Sequence, residues 1–424
     1  MPNHTPLPTA INNGRVIDPA NGIDRITSVF LADGRIAAVG DQAPDGFAAA
    51  QNIDATGCIV CPGLIDLAVH LPNVERELGA AAAGGVTRVV CPPDTSPPLD
   101  EAGLVERLVR RAGEAGGTRV HPLGALTSGL AGTTLAEMAT LAAAGCIAFS
   151  QGKRPIDDTL VMMRALQYAA SLGFAVWLQP EDYHLAQGGA AHDGAVAAQL
   201  GLPGIPICAE TIAIATALEL VRESGARVHF RRLSSAAGIR LLAAGRAEGL
   251  PVTGDVSIYH LHLTDEAIGV FDSNARLSPP LRTARDRDAL RAAIADGALQ
   301  AIVSDHTPVS DDGKQLPFAE AEVGASGVEL LLPLAVALAE TGGVPLARCL
   351  AAITCEPAAL ADLPGGTLSV GAAADVCVFD PADCWEVTPA ALHSSGSNTP
   401  LAGQKLTGRV RLTIIDGRLV FSRG

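Results

Sequence analysis

The chain has 424 residues, 48% hydrophobic and 18% charged, which excludes global disorder and gives enough core for two or three domains or one large barrel. Thirty Lys and Arg against 45 Asp and Glu leave a formal charge of −15, which excludes a surface for wrapping nucleic acid, since that needs a basic face. Aromatic residues make up only 3%, so Ala, Val, Leu and Ile must build the core.

The chain opens on MPNHTPLPTA, which has no basic region leading into an apolar stretch. No signal peptide or anchor is therefore expected, and the expected location is the cytoplasm. SVFLADGRIAAVG (28–40) is two apolar runs around Asp33-Gly34, a hairpin signature. Cys58 and Cys61 form a lone C-x-x-C inside the apolar run GCIVCPGLID. A metal or redox site would need a second cysteine pair or a helix N-terminus, so a structural role is expected. Nine scattered cysteines are an odd number and no disulfide framework.

Eight strand-like runs follow, at 65–71, 87–94, 119–126, 146–151, 174–182, 227–235, 251–260 and 299–306. Most are separated by helical patterns. In LVERLVRRA (104–112), Leu104, Val105, Leu108 and Val109 are expected on one buried face. The apolar run Leu330 to Ala339 contains Pro333 and falls short of the roughly 20 residues of a membrane span. ADVCVFDP and LTIIDGRLVF, with a turn at Asp416-Gly417, read as a strand and a second hairpin. The expected fold is therefore α/β. A (β/α)8 barrel spans 63–364, and a small β-domain forms from both chain ends, 1–62 and 365–424.

In such a barrel, chemistry sits at the C-terminal ends of the strands. The residues there are His70, Asp94, Ser150-Gln151, Gln179-Glu181-Asp182, Arg231-Arg232, His260 with His262, and Asp305-His306. A metal-dependent hydrolase needs His, Asp, Glu or a modified Lys converging at this end, and this set is thin. Ala68 occupies the inward position before His70. His260 and His262 alternate, as if on one face of a strand. Each of these histidines is more often structural than a ligand. Arg232 cannot bind a metal, and a buried guanidinium needs a carboxylate, for which Asp305 is the candidate. His229 is expected to be a core residue of the barrel. Asp311-Asp312-Gly313 is expected as a mobile loop. HLAQGGAAH (184–192) is expected to be flexible, with no partner for His184 or His192.

The order PGLIDLAVHL, AAAAGGVTRVVCPPDTSP, AFSQG, LQPED, ARVHFRRLSS, LSPPLRT, AIVSDHTP and NTPLAGQKLTGRV resembles the type I dihydroorotases, a branch of the cyclic amidohydrolases. The resemblance spans nearly the whole chain, and SNARLSPPLR with the C-terminal NTP-x-x-G segment makes it specific. It implies a barrel that opens or closes the dihydroorotate ring with one or two zinc ions.

The chain departs from that pattern where the chemistry is. The first histidine of the family's H-x-H is Ala68, and the expected bridging acid is Gln151. The expected strand-five and strand-six histidines are Gln179 and Arg232. Only His70 and Asp305 remain. The substrate-clamping arginine and asparagine are Pro72 and Asp94, a loss of a bidentate partner and a gain of repulsion. Ser278 and Val309 replace a further asparagine and histidine. The segment between His70 and Gly84 also looks shorter than usual.

The resemblance therefore implies a noncatalytic homologue with no metal or other cofactor. Such homologues hold aspartate carbamoyltransferase in a large assembly for pyrimidine biosynthesis, and a homo-oligomer is expected. An Arg232–Asp305 ion pair within about 4 Å is expected where zinc would sit. His70, Asp305 and His306 would be vestigial. The alternative is an active cyclic-amide hydrolase with a single zinc on His70, His260 or His262, and Asp305, with Asp305 or His306 carrying the proton. A third reading is a sensor whose two arginines bind an anionic pyrimidine or nucleotide.

Overall fold

Five strands open the chain: β1 (Thr9–Asp18), β2 (Ile23–Ala32), β3 (Arg35–Gly40), β4 (Gln51–Asp54) and β5 (Ile59–Pro62). They belong to a computed structural model that describes residues 6–423. The start of the stretch read for a targeting signal, Met1–Thr5, lies outside the described residues, as does Gly424. The β2–β3 turn has Asp33 at φ 51° and Gly34 at φ 75°, the paired left-handed residues that match the twist of a tight hairpin.

Ten strands follow: β6 (Leu64–Asp66), β7 (Val86–Cys91), β8 (Arg119–Ala125), β9 (Ala148–Ser150), β10 (Ala175–Leu178), β11 (Ala191–His192), β12 (Gly204–Ile205), β13 (Arg227–Phe230), β14 (Val252–Ser257) and β15 (Ala301–Val303). Apart from the separate β11–β12 pair, they form one eight-stranded parallel sheet in chain order. Its edges meet at a Val69–His306 bridge. There the His70 N–H donates to His306 O (2.9 Å) and the His306 N–H donates to Ala68 O (3.0 Å). This is the expected barrel. Its interior is packed with Ile65, Leu67, Val90, Leu123, Ala148, Trp177, Ala301 and Val303. His229 also belongs to this interior, with its ring 4.7 Å from Trp177.

Several barrel strands are shorter than the sequence reading. β10 stops at Leu178, β13 at Phe230 and β14 at Ser257, because the chain then turns across the mouth. In the helix Ala102–Ala115, Val105, Leu108 and Ala112 are buried. Val109, expected beside them, is 40% exposed on the flank of that stripe. The segment expected to be flexible is ordered by Asp182, which caps the helix Tyr183–Ala186, and by the β11–β12 pairing. His192 within it is buried, with Nδ1 3.2 Å from Arg282 Nη1. Asp311-Asp312-Gly313 is no mobile loop but part of a short helix, Asp311–Lys314, capped by Ser310.

The apolar run near Leu330 forms the buried helix Leu331–Thr341. No helix among the described residues is long and apolar enough to cross a membrane.

The last strands are β16 (Val376–Glu386), β17 (Lys405–Ile415) and β18 (Arg418–Ser422). They join the first five in a sheet of order β18-β17-β16-β5-β1-β2-β3, with β4 beside β1. Both chain ends thus share one sheet, and Asp416-Gly417 forms its second tight turn. Cys61 faces Cys377 across β5 and β16, and both are buried free thiols. Asp375 ties this sheet to the barrel floor. Its Oδ2 accepts from Arg88 Nη2 (3.1 Å) and Arg119 Nη1 (2.8 Å), and its Oδ1 accepts from the Asp416 N–H (3.1 Å).

Candidate functional site

The centre of the barrel mouth is occupied by Arg232. Its side chain is 1% exposed, and Nη1 donates to Asp305 Oδ1 at 2.6 Å. Nε donates to Gln179 Oε1 (2.8 Å), so two positions that resemblance assigns to metal ligands hold each other. The backbone is shaped for this. Arg232 has φ 54° and Asp305 φ 51°, left-handed conformations that cost a non-glycine residue about 1–2 kcal/mol. The turn at Arg232 is fixed from below, where its N–H donates to Asp255 Oδ1 (2.6 Å). Asp255 is itself held by His229 Nε2 at 2.9 Å.

His70 stands beside this pair. Its Nε2–H donates to Asp94 Oδ2 (3.2 Å), and its Nδ1 is 3.2 Å from the Thr307 hydroxyl. Both ring nitrogens are therefore engaged by protein groups. Burial alone would raise the Asp94 carboxyl. The charge and hydrogen bond of His70, with the charges of Lys153 and Arg231, outweigh it and hold Asp94 well below the usual carboxylate range.

Lys153 is a residue that sequence reasoning missed. It follows Gly152, where a Cβ would lie 2.8 Å from the Asp94 Cβ, so only glycine lets this loop pass so close. Gln151 accepts from the Thr127 hydroxyl (3.0 Å) through Oε1. Ala68 is buried, and its N–H donates to Asp66 Oδ1 (3.2 Å). Pro72 lies on the wall of a cavity beside His70 and Asp94. Ser278 precedes the cis Pro279 peptide, and Val309 is buried with its N–H on Asn398 Oδ1 (3.0 Å).

His306 is held through both ring nitrogens. Its Nδ1 accepts from the Gly327 and Val328 N–H groups (3.0 and 3.3 Å), so the proton sits on Nε2, which donates to Glu77 (3.0 Å). Glu77 also accepts from Ser394 Oγ (2.7 Å) and the Ser395 N–H (3.1 Å). Asn398 accepts from the Val309 N–H and Ser326 Oγ and donates to Thr307 O and Gly324 O. The NTP segment thus buttresses the loop after β15. On the opposite rim, Glu210 accepts from the backbone and hydroxyls of Ser234 and Ser235. Neither Glu77 nor Glu210 was legible as a site residue.

His260 and His262 do not lie on a strand. His260 is in the 3₁₀ turn Ile258–Leu261, with Nε2 3.2 Å from Pro280 O, whereas His262 Nε2 is 2.9 Å from Leu334 O. Their partners belong to different segments, and burial pushes both imidazoles down to about 4. Neither fits the mononuclear site considered from sequence. Among the described residues, no three His, Cys, Asp or Glu side chains are disposed to hold a metal ion. Zinc would need such donors, and here a guanidinium occupies one expected ligand position and binds the residue at another.

Beneath the mouth, Asp66 is fully buried. Its Oδ1 accepts from the Ala68 and Ser304 N–H groups, whereas Oδ2 has no partner. Burial pushes its carboxyl up to about 6. Between pH 4 and 6 the folded chain keeps a proton that the unfolded chain loses, so this group's contribution to stability falls as pH rises through that window. Asp66→Asn should therefore be more stable than the parent by about 2–3 kcal/mol at pH 8 and equal to it at pH 4. Urea denaturation at the two pH values checks this, and an unchanged difference between them would exclude it.

The family model described as dihydro-orotase-like matches residues 57–237. A dihydroorotase-like protein of Pseudomonas putida is 47% identical over 97% of this chain and 98% of its own length. The chain belongs to the dihydroorotase family. A dihydroorotase-like protein of Pseudomonas aeruginosa is 46% identical, again over 97% and 98%. A dihydroorotase of Syntrophotalea carbinolica is 41% identical over the same shares. The fold is also that of an L-hydantoinase from Arthrobacter aurescens, with TM-score 0.86, 24% identity, and coverage of 99% of this chain and 97% of that one.

Proposed function

We propose that this chain is a noncatalytic member of the dihydroorotase family, working in the cytoplasm without a metal and scaffolding aspartate carbamoyltransferase for pyrimidine biosynthesis. The observation that carries the noncatalytic reading is the buried Arg232–Asp305 pair. A guanidinium accepts no proton near neutral pH and polarises no bound water into a nucleophile. The His70–Asp94 contact supports the same reading, because it uses the remaining histidine. The names of the relatives, dihydroorotase-like at 46–47% identity and dihydroorotase at 41%, support the family. The partner rests on the resemblance noted in the sequence.

The test uses the full purified chain. Elemental analysis should find substoichiometric zinc, dihydroorotate should not be hydrolysed, and the chain should co-elute with aspartate carbamoyltransferase of its own organism as a larger particle. A full equivalent of zinc that Asp305→Asn removes, together with turnover, would overturn the noncatalytic reading. Separate elution at micromolar concentrations of both proteins would overturn the scaffold.

A further inference from the structure

The floor of the mouth has more buried donors than the protein satisfies. Gln151 Nε2, Arg231 Nε and Nη2, and Arg232 Nη2 are buried without a hydrogen-bond partner. Among the described residues, the unpartnered buried atoms nearby that can accept are Asp94 Oδ1, His260 Nδ1, Asp66 Oδ2 and Ser257 Oγ. Leaving a buried polar group unmade costs about 1–3 kcal/mol, and more for a charged one. Three nearby carboxylates are already engaged, Asp305 by Arg232, Asp94 by His70 and Asp255 by His229, whereas Glu181 forms no ion pair among the described residues. Among the described residues, neither Arg231 nor Lys153 forms an ion pair.

Arg231 is 1% exposed, and its N–H donates to Leu178 O (2.8 Å), which fixes its backbone against β10. Lys153 follows Gly152 in the turn after β9. Burial and the two arginine charges push the Lys153 ammonium down, against the pull of Asp94 and Asp305. Two cavities reach Gln151 and the cluster's neighbours Gln179 and Asp94, with neither arginine nor Lys153 on their walls. One of about 850 Å³ has Gln151, Gln179 and Glu181 on its wall. The other, of about 1100 Å³, has His70, Asp94 and Thr307.

We infer that this floor is a binding site for a small oxyanion, a carboxylate or inorganic phosphate, seated on Arg231, Arg232, Lys153 and Gln151. An oxyanion only accepts hydrogen bonds and carries delocalised charge, which complements two guanidinium edges, an amide and an ammonium. The site goes beyond the scaffold reading and does not depend on it. It lies on strand-six and strand-four residues, away from Pro72, where the family pattern puts its substrate arginine.

The experiment is thermal unfolding of the full chain in inorganic phosphate, acetate or chloride at one ionic strength. Phosphate or acetate should raise Tm with a saturating concentration dependence, and chloride should not. The arm that saturates at lower concentration identifies the occupant. Lys153→Gln, at the rim, should weaken that response by about tenfold, as loss of one charge-assisted bond does. Arg231→Met should abolish it, and isothermal titration with the same anion should agree. Equal Tm in all three salts would overturn the site, as would a response that survives in Lys153→Gln at full strength.

Discussion

Arg232→Met should destabilise the fold by about 3–5 kcal/mol, because it leaves the Asp305 carboxylate buried without its cation. Asp305 is 4% exposed, so water cannot substitute for the guanidinium. The variant also strands Gln179 Oε1, which accepts from Arg232 Nε (2.8 Å). The reverse change, Asp305→Leu, should cost a similar amount for the opposite reason, an unpaired buried arginine. The double variant should recover most of the loss, since a buried pair replaced by apolar groups is often near neutral. Urea midpoints of the four proteins close the cycle. A double variant as unstable as the sum of its parents would show that the two residues act separately.

Asp375→Ala should cost about 3–5 kcal/mol by the same logic at the other end of the barrel. Asp375 serves two arginines and the Asp416 N–H, and Arg88 is 5% exposed. The loss should appear in the sheet built from both chain ends as well as in the barrel, because this carboxylate joins them. Hydrogen exchange should therefore accelerate in β16 and β17 along with β7 and β8. Asp375→Asn keeps one acceptor oxygen, enough for the two arginines or for the Asp416 N–H but not for both, and should lose somewhat less than Asp375→Ala. Exchange that rises in the barrel strands alone would show that the two units are not coupled through this residue.

Local patterns made the barrel legible. The strands are short and apolar, most are followed by a helical stripe, and the two Asp-Gly turns announce themselves by residue type alone. The ion pair was legible because a guanidinium at a strand end demands a carboxylate, and the barrel limits the choice. The errors have physical causes. Strand ends were overrun because Ile258, Tyr259 and Leu261 are as apolar in a 3₁₀ turn as in a strand, so His260 and His262 were read as alternating. Glu77 lies in VERELG, which reads as a solvated helix turn, and its partners are more than two hundred residues away. Lys153 was hidden because loop residues carry no periodicity. The glycine before it has φ 68° and passes close to the Asp94 side chain, and neither constraint is visible in the sequence.

The interleaving of the chain ends has a consequence for synthesis. β5 has β1 on one side and awaits β16 on the other, and β16 begins at Val376, close to the end of the chain. At about 5–20 residues per second, a ribosome needs some tens of seconds to make the residues between them. For that time the nascent β5 carries an open hydrogen-bonding edge of four buried residues, Ile59–Pro62. Such an edge is a template for pairing with another nascent chain. The protein therefore emerges with its first sheet half-built, and its yield in a cell depends on what shields that edge until the last strands leave the ribosome.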